Sequence, residues 1–147
     1  MKKLVFGLIA TVMFGFVGNA QKSESVVEII NNKAVIIADK EVLLKNWNIN
    51  LEKYEGIKGE FTNIEVKEIN KNYYLVATGK VYKSSIILVQ IAKTNSYEGA
   101  GISCTTSDCA SSDGCVPDDT KTKCSPCVLN CTKTTTSHSL IKSLTQQ

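Results

Sequence analysis

The spacing of apolar residues shifts from strand-like to helix-like and back again along the chain. Val26-Val27-Glu28-Ile29-Ile30 and Ala34-Val35-Ile36-Ile37-Ala38 are β-branched runs separated by Asn31-Asn32-Lys33. Asparagine tolerates positive φ, so this stretch predicts a β-hairpin. The period then lengthens. Val42 or Leu43, Trp47, Leu51 and Tyr54 recur at three- and four-residue intervals, preceded by Asp39 and followed by Gly56. This is the pattern of a helix with an aspartate N-cap and a left-handed glycine stop. Asn46, Asn48 and Asn50 lower helix propensity around Trp47 and predict a break there.

From Phe61 the period returns to two. Ile64 and Val66 alternate with Glu65 and Lys67, Asn70-Lys71-Asn72 reads as a turn, and Tyr73 to Val81 reads as a strand with Gly79 at a bulge. After Lys83-Ser84-Ser85, the unbroken run Ile86 to Ala92 needs burial on both faces and predicts the central strand. The simplest assembly is an α+β fold: a small antiparallel β-sheet in meander order, packed against one helix, and followed by a disulfide-rich irregular C-terminal segment. The chain shows no internal repeat.

The first residues fall outside this domain. Lys2 and Lys3 precede an apolar run from Leu4 to Val17, and Gly18-Asn19-Ala20 offers small residues where a signal peptidase reads. A run this short, broken by Gly7 and Gly15, falls below the roughly 20 residues that a membrane span requires. Residues 1–20 therefore read as a secretory signal peptide, with the mature chain starting at Gln21 and no stable membrane insertion after cleavage. No cysteine follows closely enough to take a lipid. The remaining divisions are an α+β domain over 21–95, a cysteine-rich segment over 96–131, and a disordered tail over 132–147, where eight of the 16 residues are Ser or Thr.

Charge narrows the function classes. The full chain carries +3, and removing Lys2 and Lys3 from the 17 basic residues leaves a near balance with the 14 acids. Such a balance argues against nucleic acid as a partner, because phosphate neutralisation needs a basic patch. Every basic residue counted is lysine, so bidentate arginine recognition of phosphate or carboxylate is closed to this chain.

All six cysteines lie between Cys104 and Cys131. The only other apolar side chains in that interval are Ala110, Val116, Val128 and Leu129, too few to offset an ordering cost of about 1–2 kcal/mol per residue. Export, an even count and intervening Ser, Thr, Asp, Gly and Pro point to disulfides at Cys104, Cys109, Cys115, Cys124, Cys127 and Cys131. Their connectivity stays open among about fifteen pairings. Two other chemistries compete. Cys104-x4-Cys109 and Cys124-x2-Cys127 can supply four thiolates to zinc, whereas iron–sulfur spacing fits less well. Separately, Cys124-Ser125-Pro126-Cys127 resembles the active-site loop of thioredoxin-like oxidoreductases, which implies Cys124 as an activated thiol in thiol–disulfide exchange. In that family the motif opens a domain of about a hundred residues, whereas here only twenty residues follow it.

Other groups have ordinary readings. His138, the only histidine, lies in a Ser/Thr-rich stretch and reads as a tail residue. Glu52, Glu55, Glu60, Glu65 and Glu68 interleave with lysine as a wet face. Asp108, Asp113, Asp118 and Asp119 lack calcium-loop spacing and read as turn residues. Tyr73, Tyr74 and Tyr82 suit half-buried strand positions better than a sugar-binding face. Asn130-Cys131-Thr132 fits the glycosylation pattern. The expectation is a small secreted or periplasmic protein of bacterial type, without enzymatic activity, cofactor or metal. It would act as a binding or interaction module toward an unknown extracellular or cell-surface partner.

Overall fold

The computed structural model describes residues 25–108, 114–126 and 130–134. The elements among them are β1 (Val27–Ile30), β2 (Lys33–Ile36), α1 (Lys40–Glu55), β3 (Asn63–Ile69), β4 (Asn72–Thr78), β5 (Lys83–Gln90), β6 (Ser96–Thr106) and β7 (Thr132–Thr134). All strand pairs are antiparallel, in the order β2-β1-β6-β5-β4-β3, with β7 also on β6. The meander is thus confined to β3 through β6. The β1–β2 hairpin joins through β6, and β2 comes back alongside β3, so the sheet curls almost into a barrel.

Local chemistry explains the turns. Asn31 and Asn32 take φ of 51° and 63°, and Asn70 and Lys71 take 51° and 69°. Two successive left-handed residues match the twist of the flanking strands. Gly79 is not a bulge. It follows β4, its N–H donates to the Tyr82 carbonyl at 2.9 Å, and a Cβ there would lie 2.5 Å from the Gly59 carbonyl oxygen. Only glycine lets those backbones approach.

Helix α1 begins where Asp39 Oδ1 accepts the N–H groups of Glu41 and Val42 at 2.9 and 3.3 Å. It ends at Gly56, with φ of 67° and an N–H donated to the Glu52 carbonyl. The break expected at Asn46–Asn50 is absent. Asn48 instead reaches off the helix, accepting from Phe61 N–H at 2.8 Å and donating to the Phe61 carbonyl at 3.1 Å, as a neighbouring strand would. Asn46 and Asn50 are buried. These tertiary contacts override the weak local propensity.

One face of α1 buries Leu43, Trp47 and Leu51 on the inner face of the sheet, among Val26, Phe61, Ile64, Leu75, Ala77, Ile86 and Leu88. Trp47 meets Phe61 edge-on, with centroids 6.0 Å apart. Tyr54 lies beyond this core, exposed, with the Lys53 ammonium 5.4 Å from its ring centroid.

The cysteine-rich stretch is less irregular than its composition implies. Beyond residue 95 the chain immediately forms β6, which lies between β5 and β1. Thr132–Thr134, expected in a disordered tail, form β7 and pair with Ser103, Cys104 and Thr105. Both segments are poor in apolar residues, and neighbouring strands and sulfur bridges hold them in place instead. Residues 1–24 and 135–147, including the expected signal peptide and His138, lie outside the described residues.

Candidate functional site

The outer face of the sheet, opposite α1, carries a smaller apolar cluster of Tyr74, Val76 and Ile87. Residues 114–126 cover it. Val116 packs into the cluster, the Tyr74 hydroxyl donates to the Pro117 carbonyl at 2.8 Å, and Ser85 Oγ donates to the Cys115 carbonyl at 3.0 Å. This segment folds into a small ribbon of its own. Pro117 pairs with Cys124 as an antiparallel bridge. Ser125 N–H donates to the Val116 carbonyl at 2.7 Å, Ser125 Oγ accepts from Val116 N–H at 2.9 Å, and Asp118 N–H donates to the Lys123 carbonyl at 2.9 Å.

The tip of the ribbon is a turn built on Asp118. Its carbonyl accepts from Lys121 N–H at 3.0 Å, and its carboxylate accepts from the Thr120 hydroxyl at 2.6 Å. The Thr120 bond, helped by backbone N–H groups, holds the Asp118 carboxyl below the usual carboxylate range. Burial pushes the Tyr74 phenol up, since the phenolate would be poorly solvated there, and Asp119 and Asp118 push the same way.

Two disulfides pin the ribbon. Cys104, on β6, bonds Cys124, and Cys115 bonds Cys131, next to β7. Cα separations of 5.9 and 6.2 Å are ordinary for such bridges. With sequence separations of 20 and 16 residues, each restricts the unfolded chain enough to contribute on the order of 3 kcal/mol. A third contact fixes the tip against the sheet. β6 carries two extra residues opposite the Ile86–Ile87 step of β5, and Gly101 within this bulge has φ of 73°. A Cβ on Gly101 would lie 2.5 Å from Lys121 Cβ and 2.6 Å from its carbonyl oxygen.

Between this tip and the β3–β4 turn lies an open groove of about 420 Å³. Lys71, Asn72, Tyr73, Gln90, Tyr97, Asp119 and Lys121 contribute to its lining. Asn72 Nδ2 donates to Asp119 Oδ1 at 2.5 Å, closing one wall across 47 residues of sequence. Tyr73 and Tyr97 meet edge-on, with centroids 5.3 Å apart. The groove combines amide donors and acceptors, two lysines and an aromatic pair, a set suited to a polar ligand.

Sequence reasoning placed the weight on cysteines and missed this groove. Gln90 and Tyr97 lie beside the residue-95 boundary drawn from composition, and their pairing across β5 and β6 brings them together. The strand signal in β6 is Ile102 and Cys104, which alternate with serine and threonine.

Several expected groups can now be placed. Cys104, Cys115, Cys124 and Cys131 are bridged, while Cys109 and Cys127 lie outside the described residues. Cys124 is bonded to Cys104, so it does not form the Cys124–Cys127 redox pair that the thioredoxin-like resemblance implies. The sulfurs of Cys104, Cys124 and Cys131 lie within 4.8 Å of one another, but all three are oxidised and offer no thiolate to zinc. Asp118 and Asp119 serve the turn and the groove wall, and Asp113 lies outside the described residues. Tyr73 and Tyr74 project to opposite faces of the sheet and form no common platform. Glu52, Glu55, Glu60, Glu65 and Glu68 are exposed. No helix among the described residues is long and apolar enough to cross a membrane. Comparison with protein-family models, curated proteins and solved structures found no match.

Proposed function

We propose that this chain is an exported, non-enzymatic binding module that takes a polar extracellular or cell-surface partner in the groove between the β3–β4 turn and the ribbon tip. The observation carrying this reading is the bracing of the groove. The ribbon is bonded to β6 and to the segment before β7 by two disulfides, and the Asn72–Asp119 contact ties its tip to the opposite wall. A wall held in place before binding avoids part of the ordering cost of association. The disulfides also fit an oxidising compartment, in line with the signal-like first 20 residues.

Glycan and peptide arrays probed with the mature chain test this directly. A hit is expected to lose at least tenfold affinity on Lys121→Glu or Gln90→Ala, with circular dichroism unchanged, and undiminished binding by both variants would reject the groove. Export is checked separately by expressing the full chain and sequencing the secreted protein, whose first residue should be Gln21. Intact mass before and after reduction should rise by six hydrogens if every cysteine is paired.

A further inference from the structure

The two disulfides share one sulfur cluster, in which Ile102, Cys104 and Cys115 are buried and Cys124 and Cys131 are half-buried. The Sγ atoms of Cys104, Cys124 and Cys131 lie within 4.8 Å of one another, although only Cys104 and Cys124 are bonded to each other. Such packing places one bridge within reach of a thiolate released from the other.

Exposure decides where exchange starts. A thiolate opens a disulfide by bonding to one sulfur and expelling the other. Cys104 and Cys115 are sealed from solvent at 0% and 1% exposure, so of the four bridged sulfurs among the described residues an incoming thiol reaches Cys124 or Cys131. Attack at Cys131 would expel the Cys115 thiolate, whose sulfur is outside the close triad. Attack at Cys124 would expel the Cys104 thiolate, held within 4.8 Å of Cys131 Sγ. Apolar surroundings disfavour a thiolate, so the expelled sulfur gains by bonding again.

We propose that Cys124 is a thiol-capture site with an internal relay. A small thiol, as its thiolate, bonds to Cys124 Sγ and breaks the Cys104–Cys124 bond. The Cys104 thiolate then bonds to Cys131 Sγ and breaks the Cys115–Cys131 bond. Cys115 leaves as a thiolate and takes up the proton that the small thiol gave up. Two disulfides and one thiol enter, and two disulfides and one thiol leave, so no oxidant or reductant is consumed. The captured thiol stays on Cys124, β6 becomes tied to the segment before β7 through Cys104–Cys131, and the ribbon loses its tie to β6.

The test uses the native full chain and L-cysteine. After brief incubation, acid quenching and alkylation at low pH under denaturing conditions, digestion maps every cysteine, including Cys109 and Cys127. The expected product carries a cysteinyl group on Cys124, a Cys104–Cys131 bridge and alkylated Cys115. Cysteinylated Cys124 beside alkylated Cys104 and an intact Cys115–Cys131 bridge would overturn the relay. Adducts elsewhere without one on Cys124, or no adduct at all, would overturn the capture site. A Cys115→Ser chain gives an independent reading without added thiol. Its Cys131 is then free beside the Cys104–Cys124 bridge, and the map should show Cys131 bridged to Cys104 or Cys124 in a measurable fraction of molecules. Complete alkylation of Cys131, with only Cys104–Cys124 present, would contradict the proposal, and the wild-type arm decides if this variant fails to fold.

Discussion

The two faces of the sheet are held by different physics. On the inner face, α1 buries Leu43, Trp47 and Leu51 in a continuous apolar cluster with buried residues from β1, β3, β4 and β5. On the outer face, a ribbon with few apolar side chains lies on Tyr74, Val76 and Ile87 and is anchored by two disulfides and a handful of hydrogen bonds. Burial of each large apolar side chain on the inner face contributes about 1.5–3 kcal/mol, and it depends on no covalent chemistry. The outer face gains most of its order from restricting the unfolded chain. One sheet therefore carries a redox-independent core and a redox-dependent outer covering, and the groove takes Tyr73 and Tyr97 from the first and Asp119 and Lys121 from the second.

The sharpest way to break the comparison is to attack the inner face. Trp47→Ala removes the largest fully buried side chain and leaves a cavity beside Phe61, at an expected cost of about 3–5 kcal/mol in urea denaturation. Both faces should be lost together at a lower midpoint, because the outer ribbon has no core of its own. Removing one staple is next in size. Cys104→Ala with Cys124→Ala should lower stability by about 2–4 kcal/mol while leaving the Trp47 near-ultraviolet signal in place at low denaturant. Asp39→Ala removes the α1 cap, and a loss of about 1 kcal/mol is expected, with the ribbon unaffected.

Tyr74→Phe should have the smallest effect, about 0.5–1.5 kcal/mol, from loss of the bond to the Pro117 carbonyl. Its pH dependence sharpens the comparison. Burial raises the folded-state pKa of this phenol, so the folded chain holds its proton more tightly than the unfolded chain. That contribution is complete below the unfolded-state value and is lost as pH rises through the folded-state value. Stability of the wild type should therefore fall more steeply than that of Tyr74→Phe on the alkaline side, as measured by urea midpoints across that range.

The inner half of the fold was legible in sequence because its signals are local. Asp39 and Gly56 bound the helix, the asparagine pairs mark the hairpin turns, and the apolar run of β5 marks a strand covered on both faces. The outer half depends on contacts between residues distant in the chain. Nothing near Asn48 reveals that its amide will pair with Phe61, and nothing near Asn72 points to Asp119. Cysteine count and compartment identified disulfide chemistry, but not which sulfurs meet. That outcome depends on β6 bringing Cys104 beneath the ribbon. Composition also hid β6 and β7, whose serine, threonine and glycine pair across strands without forming an apolar stripe.

Hydrogen exchange followed by mass spectrometry, on the native protein before and after reduction with a phosphine, tests this division most directly. Protection should vanish from residues 114–126 and from β7 on reduction, while α1, β3, β4 and β5 keep theirs. Simultaneous loss of protection in both sets, or an outer ribbon that stays protected with its bridges open, would contradict it.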